Sequence, residues 1–120
     1  MANHPLHRWL SQLAVLQQAD VFVTHAGMSS TVQGIWSGVP MLAVPQALDQ
    51  FTNADSITRL GIGRKLCDTR SAPALREAVL DLASNSRITA NVEKLRKEVR
   101  AADGTRRAVE IIEQQLGAVP

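Results

Sequence analysis

Residues Thr24-His25-Ala26-Gly27-Met28-Ser29-Ser30-Thr31 bring together the side chains best suited to chemistry in this chain. A short apolar run, Asp20-Val21-Phe22-Val23, leads into them, and a segment of helical character follows. A buried strand that ends in a histidine, a glycine and hydroxyl residues and then turns into a helix directs backbone N–H groups, and the positive end of the helix dipole, at one spot. That arrangement suits an anion, and Gly27 lets the backbone approach it with no Cβ in the way. Farther along, Asp49 and Gln50 add a carboxylate that accepts hydrogen bonds and an amide that both donates and accepts. From spacing alone, a helix N-cap is the favoured role for Asp49, and Asn53 carries the same ambiguity. Trp9 and Gln12 offer a flat indole face and an amide. By residue type alone, Trp9 reads as a core tryptophan.

The elements that must position these residues follow from periodicity. A helix-like stretch over 12–19 precedes a strand over 20–24, and a helix over 30–37 ends at Gly38 with Pro40 as a stop signal. Residues 41–44 form a continuous apolar run of the kind that makes a buried strand. A helix over 49–60 closes at Gly61, and 63–66 reads as a further short strand. Beyond it, Leu75, Ala78, Val79, Leu82 and Ala83 recur at helical spacing behind a start signal at Ser71 and Pro73. Ile88, Val92, Leu95 and Val99 make a second stripe. Ala108, Val109, Ile112 and Leu116 make a third after the break at Asp103-Gly104. Short apolar strands alternating with helices predict an α/β fold with a parallel sheet.

Composition excludes several classes. At 120 residues and 45% hydrophobic content the chain is one domain at most, with a single core. No run approaches the ~18 apolar residues of a membrane span, and the first residues lack a signal-peptide pattern, so a cytoplasmic domain is expected. The lone Cys67 excludes an internal disulfide and offers no metal-ligand spacing. The net charge of +2 comes from basic residues that alternate with acids, as in Glu93-Lys94-Leu95-Arg96-Lys97-Glu98, and aromatic residues make up only 3%. These are solvated helix faces rather than a nucleic-acid platform.

Trp9-x-x-Gln12, Thr24-His25-Ala26-Gly27, Ser30-Thr31, Gly38-Val39-Pro40-Met41, Val44-Pro45-Gln46 and Asp49-Gln50-x-x-Asn53-Ala54 occur in fixed order. Together they resemble the nucleotide-sugar signature of family 1 GT-B glycosyltransferases, with the bacterial macrolide and antibiotic group as the nearest pattern. The similarity continues through Leu60-Gly61-x-Gly63-Arg64 and Gly104-Thr105-Arg106-Arg107-Ala108. An ordered set of this length is far more specific than a lone glycine motif.

The resemblance implies the second half of a Rossmann-like, doubly wound donor domain, followed by three C-terminal helices. It assigns the donor diphosphate to His25, Gly27, Ser29 and Ser30, the nucleoside to Trp9, Gln12 and Gln33, and the donor sugar to Asp49 and Gln50. Gln33 stands where the family usually carries a glutamate on the ribose, so the charge-assisted strength of that contact is missing. The implied reaction is an inverting, metal-free transfer from a nucleoside diphosphate sugar, UDP rather than TDP, to a hydroxyl of a small acceptor such as a macrolide. No catalytic residue of this reaction is expected in residues 1–120, because the family's general base belongs to an acceptor domain. The chain alone should turn nothing over. Strand 20–24 has lost its expected neighbour, and its open edge predicts self-association or a separate acceptor-domain polypeptide. A binding subunit that completes such an enzyme, and an inactive remnant, are the alternatives.

Overall fold

In a computed structural model, residues 14–16, 18–67, 71–102 and 104–117 are described. Three short strands, β1 (Phe22–Thr24), β2 (Met41–Ala43) and β3 (Gly63–Lys65), form a parallel sheet in that order. Phe22 pairs with Met41 and Thr24 with Ala43, while Met41 also pairs with Gly63. Between the strands run α1 (Met28–Ser37) and α2 (Leu48–Leu60); α3 (Ala72–Ser84), α4 (Ser86–Arg100) and α5 (Thr105–Gln115) follow β3.

Each strand is shorter than the stretch expected for it, 20–24, 41–44 and 63–66. Residues 14–16 are helical and Gln18 and Ala19 close a turn onto Val15 and Leu16, so only part of the helix expected over 12–19 lies among the described residues.

The central strand explains the layers. Met41 and Ala43 point into one cluster with Ile35 of α1, Ala54 and Ile57 of α2, and the stripes of α4 and α5. Leu42 and Val44 point the other way, against Ala78 and Leu82 of α3. Burial on both faces is why this segment reads as a continuous apolar run instead of an alternating one. The sheet is therefore wrapped on both faces, as a doubly wound fold requires. Ala83, counted in the α3 stripe, is exposed.

Helices α1 and α2 end alike. Gly38 and Gly61 adopt left-handed conformations (φ 72° and 69°), and the next amides, of Val39 and Ile62, reach back to the carbonyls of Gly34 and Ile57 at 3.1 Å. This glycine-dependent reversal drops the chain into β2 and β3. At the other end of the fold, Ser71 Oγ accepts from the Ala74 amide and starts α3. Asn85 Oδ1 accepts from the Arg87 and Ile88 amides and starts α4. Arg100 at the end of α4 donates to the Trp36 carbonyl at 2.9 Å and lies over its ring. Burial first, then neighbouring Arg96, lowers the pKa of this guanidinium. It remains a cation, and it complements the negative C-terminal end of α1.

Candidate functional site

The turn from β1 into α1 is held by two side chains from different elements. Ala26 is fully buried and left-handed, with φ 70°. Its N–H donates to Thr24 Oγ1 at 3.0 Å, and its carbonyl accepts from Asn53 Nδ2 of α2 at 2.9 Å. The sharp bend therefore falls on an alanine, while Gly27 has ordinary extended angles (φ −66°, ψ 162°) and is the N-cap of α1. Gly27 matters for space: a Cβ built on it would meet nothing within 4 Å.

Helix α1 starts at Met28, two residues earlier than expected. Ser29 and Ser30 therefore lie inside its first turn and not ahead of it. No side chain caps this end and no acidic residue stands in the first turn. The Gly27 carbonyl takes both the amide and the hydroxyl of Thr31, at 2.9 and 2.7 Å. The first-turn amides thus keep the unspent donors and partial positive charge of a helix N-terminus.

His25 is exposed, and its Nδ1 lies 2.9 Å from the Val44 carbonyl, just past β2. A carbonyl only accepts, so Nδ1 carries the proton, and Nε2 has no partner among the described residues. The ring lines a cavity of about 500 Å³ together with Thr24, Ser30, Val44 and Gln46. Nε2 is a bare acceptor in the neutral ring and an N–H donor only in the imidazolium. A larger groove of about 830 Å³ runs along α3. There Arg64 pairs with Asp81 at 3.2 Å, and Arg76 is accompanied by Glu77, so opposing charges cancel the field an anion would need.

The remaining sequence candidates take distinct places. Gln33 is 4% exposed; its Nε2 lies 3.3 Å from Ser29 Oγ, and its Oε1 is buried with no partner. Asp49 lies exposed in the first turn of α2, but Ala47 is the N-cap, so the capping role that spacing allowed Asp49 is not observed. Gln50 performs it in part: its Oε1 accepts from the Gln46 and Ala47 amides at 2.8 and 3.1 Å, leaving its NH₂ to face outward chemistry. Asn53 neither caps nor faces solvent; it holds the Ala26 carbonyl. Trp9 and Gln12 lie outside the described residues. The structure therefore brings His25 and Ser30 to one opening, with Gly27 as the N-cap of the helix that carries Ser30, and puts Asp49 and Gln50 at the head of α2. Thr24 and Asn53 as holders of the turn were not foreseen, since the bond from Asn53 spans 27 residues. The Gln50 cap had a local signal, a glutamine three residues after the N-cap.

A family model described as the C-terminal domain of erythromycin biosynthesis protein CIII-like proteins matches residues 3–115. The chain belongs to this family. Among relatives of this CIII-like domain, the oleandomycin glycosyltransferase of Streptomyces antibioticus is 44% identical over 117 residues, covering 97% of this chain and 27% of the relative. The solved glycotransferase of kitacinnamycin is 50% identical with a TM-score of 0.74, over 90% of this chain and 28% of that one. The calicheamicin glycosyltransferase CalG4 is 29% identical with a TM-score of 0.76, over 95% and 30%. The CIII-like domain described here thus has the GT-B glycosyltransferase fold expected from its motifs and resembles the antibiotic group. It spans less than a third of the length of these relatives. Among the described residues, no helix is long and apolar enough to cross a membrane.

Proposed function

We propose that this chain is the donor-binding portion of an inverting glycosyltransferase that takes a nucleoside diphosphate sugar, UDP-linked, and transfers the sugar to a hydroxyl of a macrolide-type acceptor. The observation that carries this reading is the meeting at one cavity of the His25 imidazole and Ser30 of the uncapped α1 N-terminus, a helix whose N-cap, Gly27, has open space where its Cβ would be. As the bond from the anomeric carbon to the diphosphate oxygen breaks, negative charge collects on the leaving phosphate. Preorganised amides and an imidazolium stabilise that charge without a metal. Gln33 Oε1, buried and unpaired, supplies an acceptor for a ribose hydroxyl, and Asp49 with the Gln50 amide supplies partners for sugar hydroxyls. Trp9 and Gln12 complete the nucleoside site on this reading, and the acceptor base comes from outside residues 1–120.

Calorimetric titration tests the proposal. UDP should bind the isolated chain and uridine should bind at least about tenfold more weakly, because the phosphates carry the contact. Equal affinities, or no heat with UDP at millimolar concentration, would remove the diphosphate from the site. A second reading, a non-catalytic subunit completed by an acceptor-domain polypeptide, draws support from β1. Among the described residues it is an edge strand, and its Val23 is 51% exposed, a surface that favours strand addition.

A further inference from the structure

Ala26 is the one non-glycine residue with positive φ among the described residues, and it is fully buried. A left-handed alanine persists only where its surroundings over-determine it. Here the two peptide planes flanking Ala26 are each pinned. Thr24 Oγ1 takes the Ala26 N–H, which fixes the plane shared with His25. Asn53 Nδ2, on a side chain only 7% exposed, holds the Ala26 carbonyl, which fixes the plane shared with Gly27. In a trans peptide the N–H points opposite to the carbonyl. With the Ala26 carbonyl turned toward α2, the Gly27 N–H is turned away from it and joins the first-turn donors of α1.

We infer that Asn53, assisted by Thr24, is a positioning residue of the anion site: it holds the left-handed Ala26 turn that sets the direction of the Gly27 amide and of the head of α1, whose Ser30 lines the cavity. Asn53 also lies one turn beyond Gln50 on α2, so the same bond fixes the cradle relative to the helix that carries Asp49 and Gln50. This rests on the proposed diphosphate role, and it gives Asn53 a task that does not require contact with the donor.

The test compares UDP affinity in four forms of the full chain: wild type, Asn53→Ala, Ala26→Gly and the double variant. Asn53→Ala is expected to weaken UDP binding about tenfold or more. Ala26→Gly, which removes the steric penalty of positive φ, should change it less than about threefold. The decisive result is rescue: the double variant should bind UDP at least about threefold more tightly than Asn53→Ala alone. Unchanged binding in Asn53→Ala, or loss without rescue, overturns the inference, because a defect in α2 packing would not respond to glycine at position 26. If Asn53→Ala does not fold, Thr24→Val removes the other pin while keeping the shape of the strand. It should weaken UDP several-fold, and wild-type affinity would overturn the inference. Should the wild type bind no UDP, the diphosphate role fails and amide exchange decides the positioning role on its own. Asn53→Ala should speed exchange of the Ala26 amide about tenfold while sparing that of Ile57, and no acceleration overturns it.

Discussion

Gly27→Ala separates the fold from the site. The φ and ψ of Gly27 suit any residue, and a Cβ there would touch nothing within 4 Å. Alanine stiffens the unfolded chain, which stabilises the protein by about 0.4–1 kcal/mol. As an N-cap alanine is worse than glycine, by roughly 0.5–1 kcal/mol. The two effects nearly cancel, so Tm should stay within about 5 °C of wild type. Binding should respond very differently. A methyl group in the open space ahead of the first-turn amides keeps phosphate oxygens from the roughly 2.9 Å approach that charge-assisted hydrogen bonds require. Losing one or two such bonds, at about 1.5–3 kcal/mol each, weakens UDP by at least about tenfold. Thermal melts and calorimetry on the same preparations measure both quantities. A Gly27→Ala protein that melts normally and binds UDP within threefold of wild type would show that the space before Gly27 is not where the diphosphate lies.

Gln33→Met should not lower stability, because it trades one long hydrogen bond to Ser29 for the removal of a buried, unpaired Oε1, which costs about 1–3 kcal/mol. The same change should weaken UDP binding, and a destabilised protein in urea titration would argue against the orphaned acceptor. His25 Nε2 donates only when the ring is protonated, and the cavity lining has no other charged side chain. His25→Ala should therefore weaken UDP binding several-fold, and unchanged affinity would remove His25 from the diphosphate site. Gly63→Ala would drive a Cβ into the Met41 carbonyl and to 2.7 Å from Ile57 Cγ2. It should cost about 3 kcal/mol or more, visible as a Tm lower by about 10 °C or more. Sedimentation at tens of micromolar should show association of the wild type that Val23→Lys abolishes, since a lysine on an open edge blocks strand pairing; a monomeric wild type argues against a sticky edge.

Features dictated by local chemistry were legible in the sequence. The run 41–44 announced a strand buried on both faces, Gly38 and Gly61 announced helix ends, and the three C-terminal stripes announced which sides face the core. The helix starts were less legible. Hydroxyl and carboxylate side chains favour N-caps, which drew the expected starts to Ser30 and Asp49, yet Gly27 and Ala47 occupy the cap positions. In the first case the extended Gly27 already lies at the end of the bend, so the serines are carried into the helix. In the second, Gln50 supplies the missing acceptor from inside the first turn. The left-handed Ala26 could not be read locally, because a glycine stands next to it and would ordinarily take that conformation. The partner that fixes it instead, Asn53, lies 27 residues away in sequence.

The two helices that head toward the site differ in a way that bears on how a donor is oriented. Both follow a parallel strand, so both point their N-termini at the C-terminal edge of the sheet, where ligands of such folds bind. At α2 the amides of Gln46 and Ala47 are already spent on Gln50 Oε1, and the exposed Asp49 carboxylate adds negative charge. Neither first turn has a side-chain cap, but that of α1 also has no acid, and the guanidinium of Arg100 sits at its opposite end. An anion is therefore favoured at α1 and disfavoured at α2, whereas a neutral polyol finds an acceptor and a donor at α2. On the proposed function, this asymmetry sets the polarity of the nucleotide sugar, with its diphosphate against α1 and its sugar toward α2. Replacing Asp49 with Asn should consequently leave UDP affinity almost unchanged and weaken only the sugar-bearing donor.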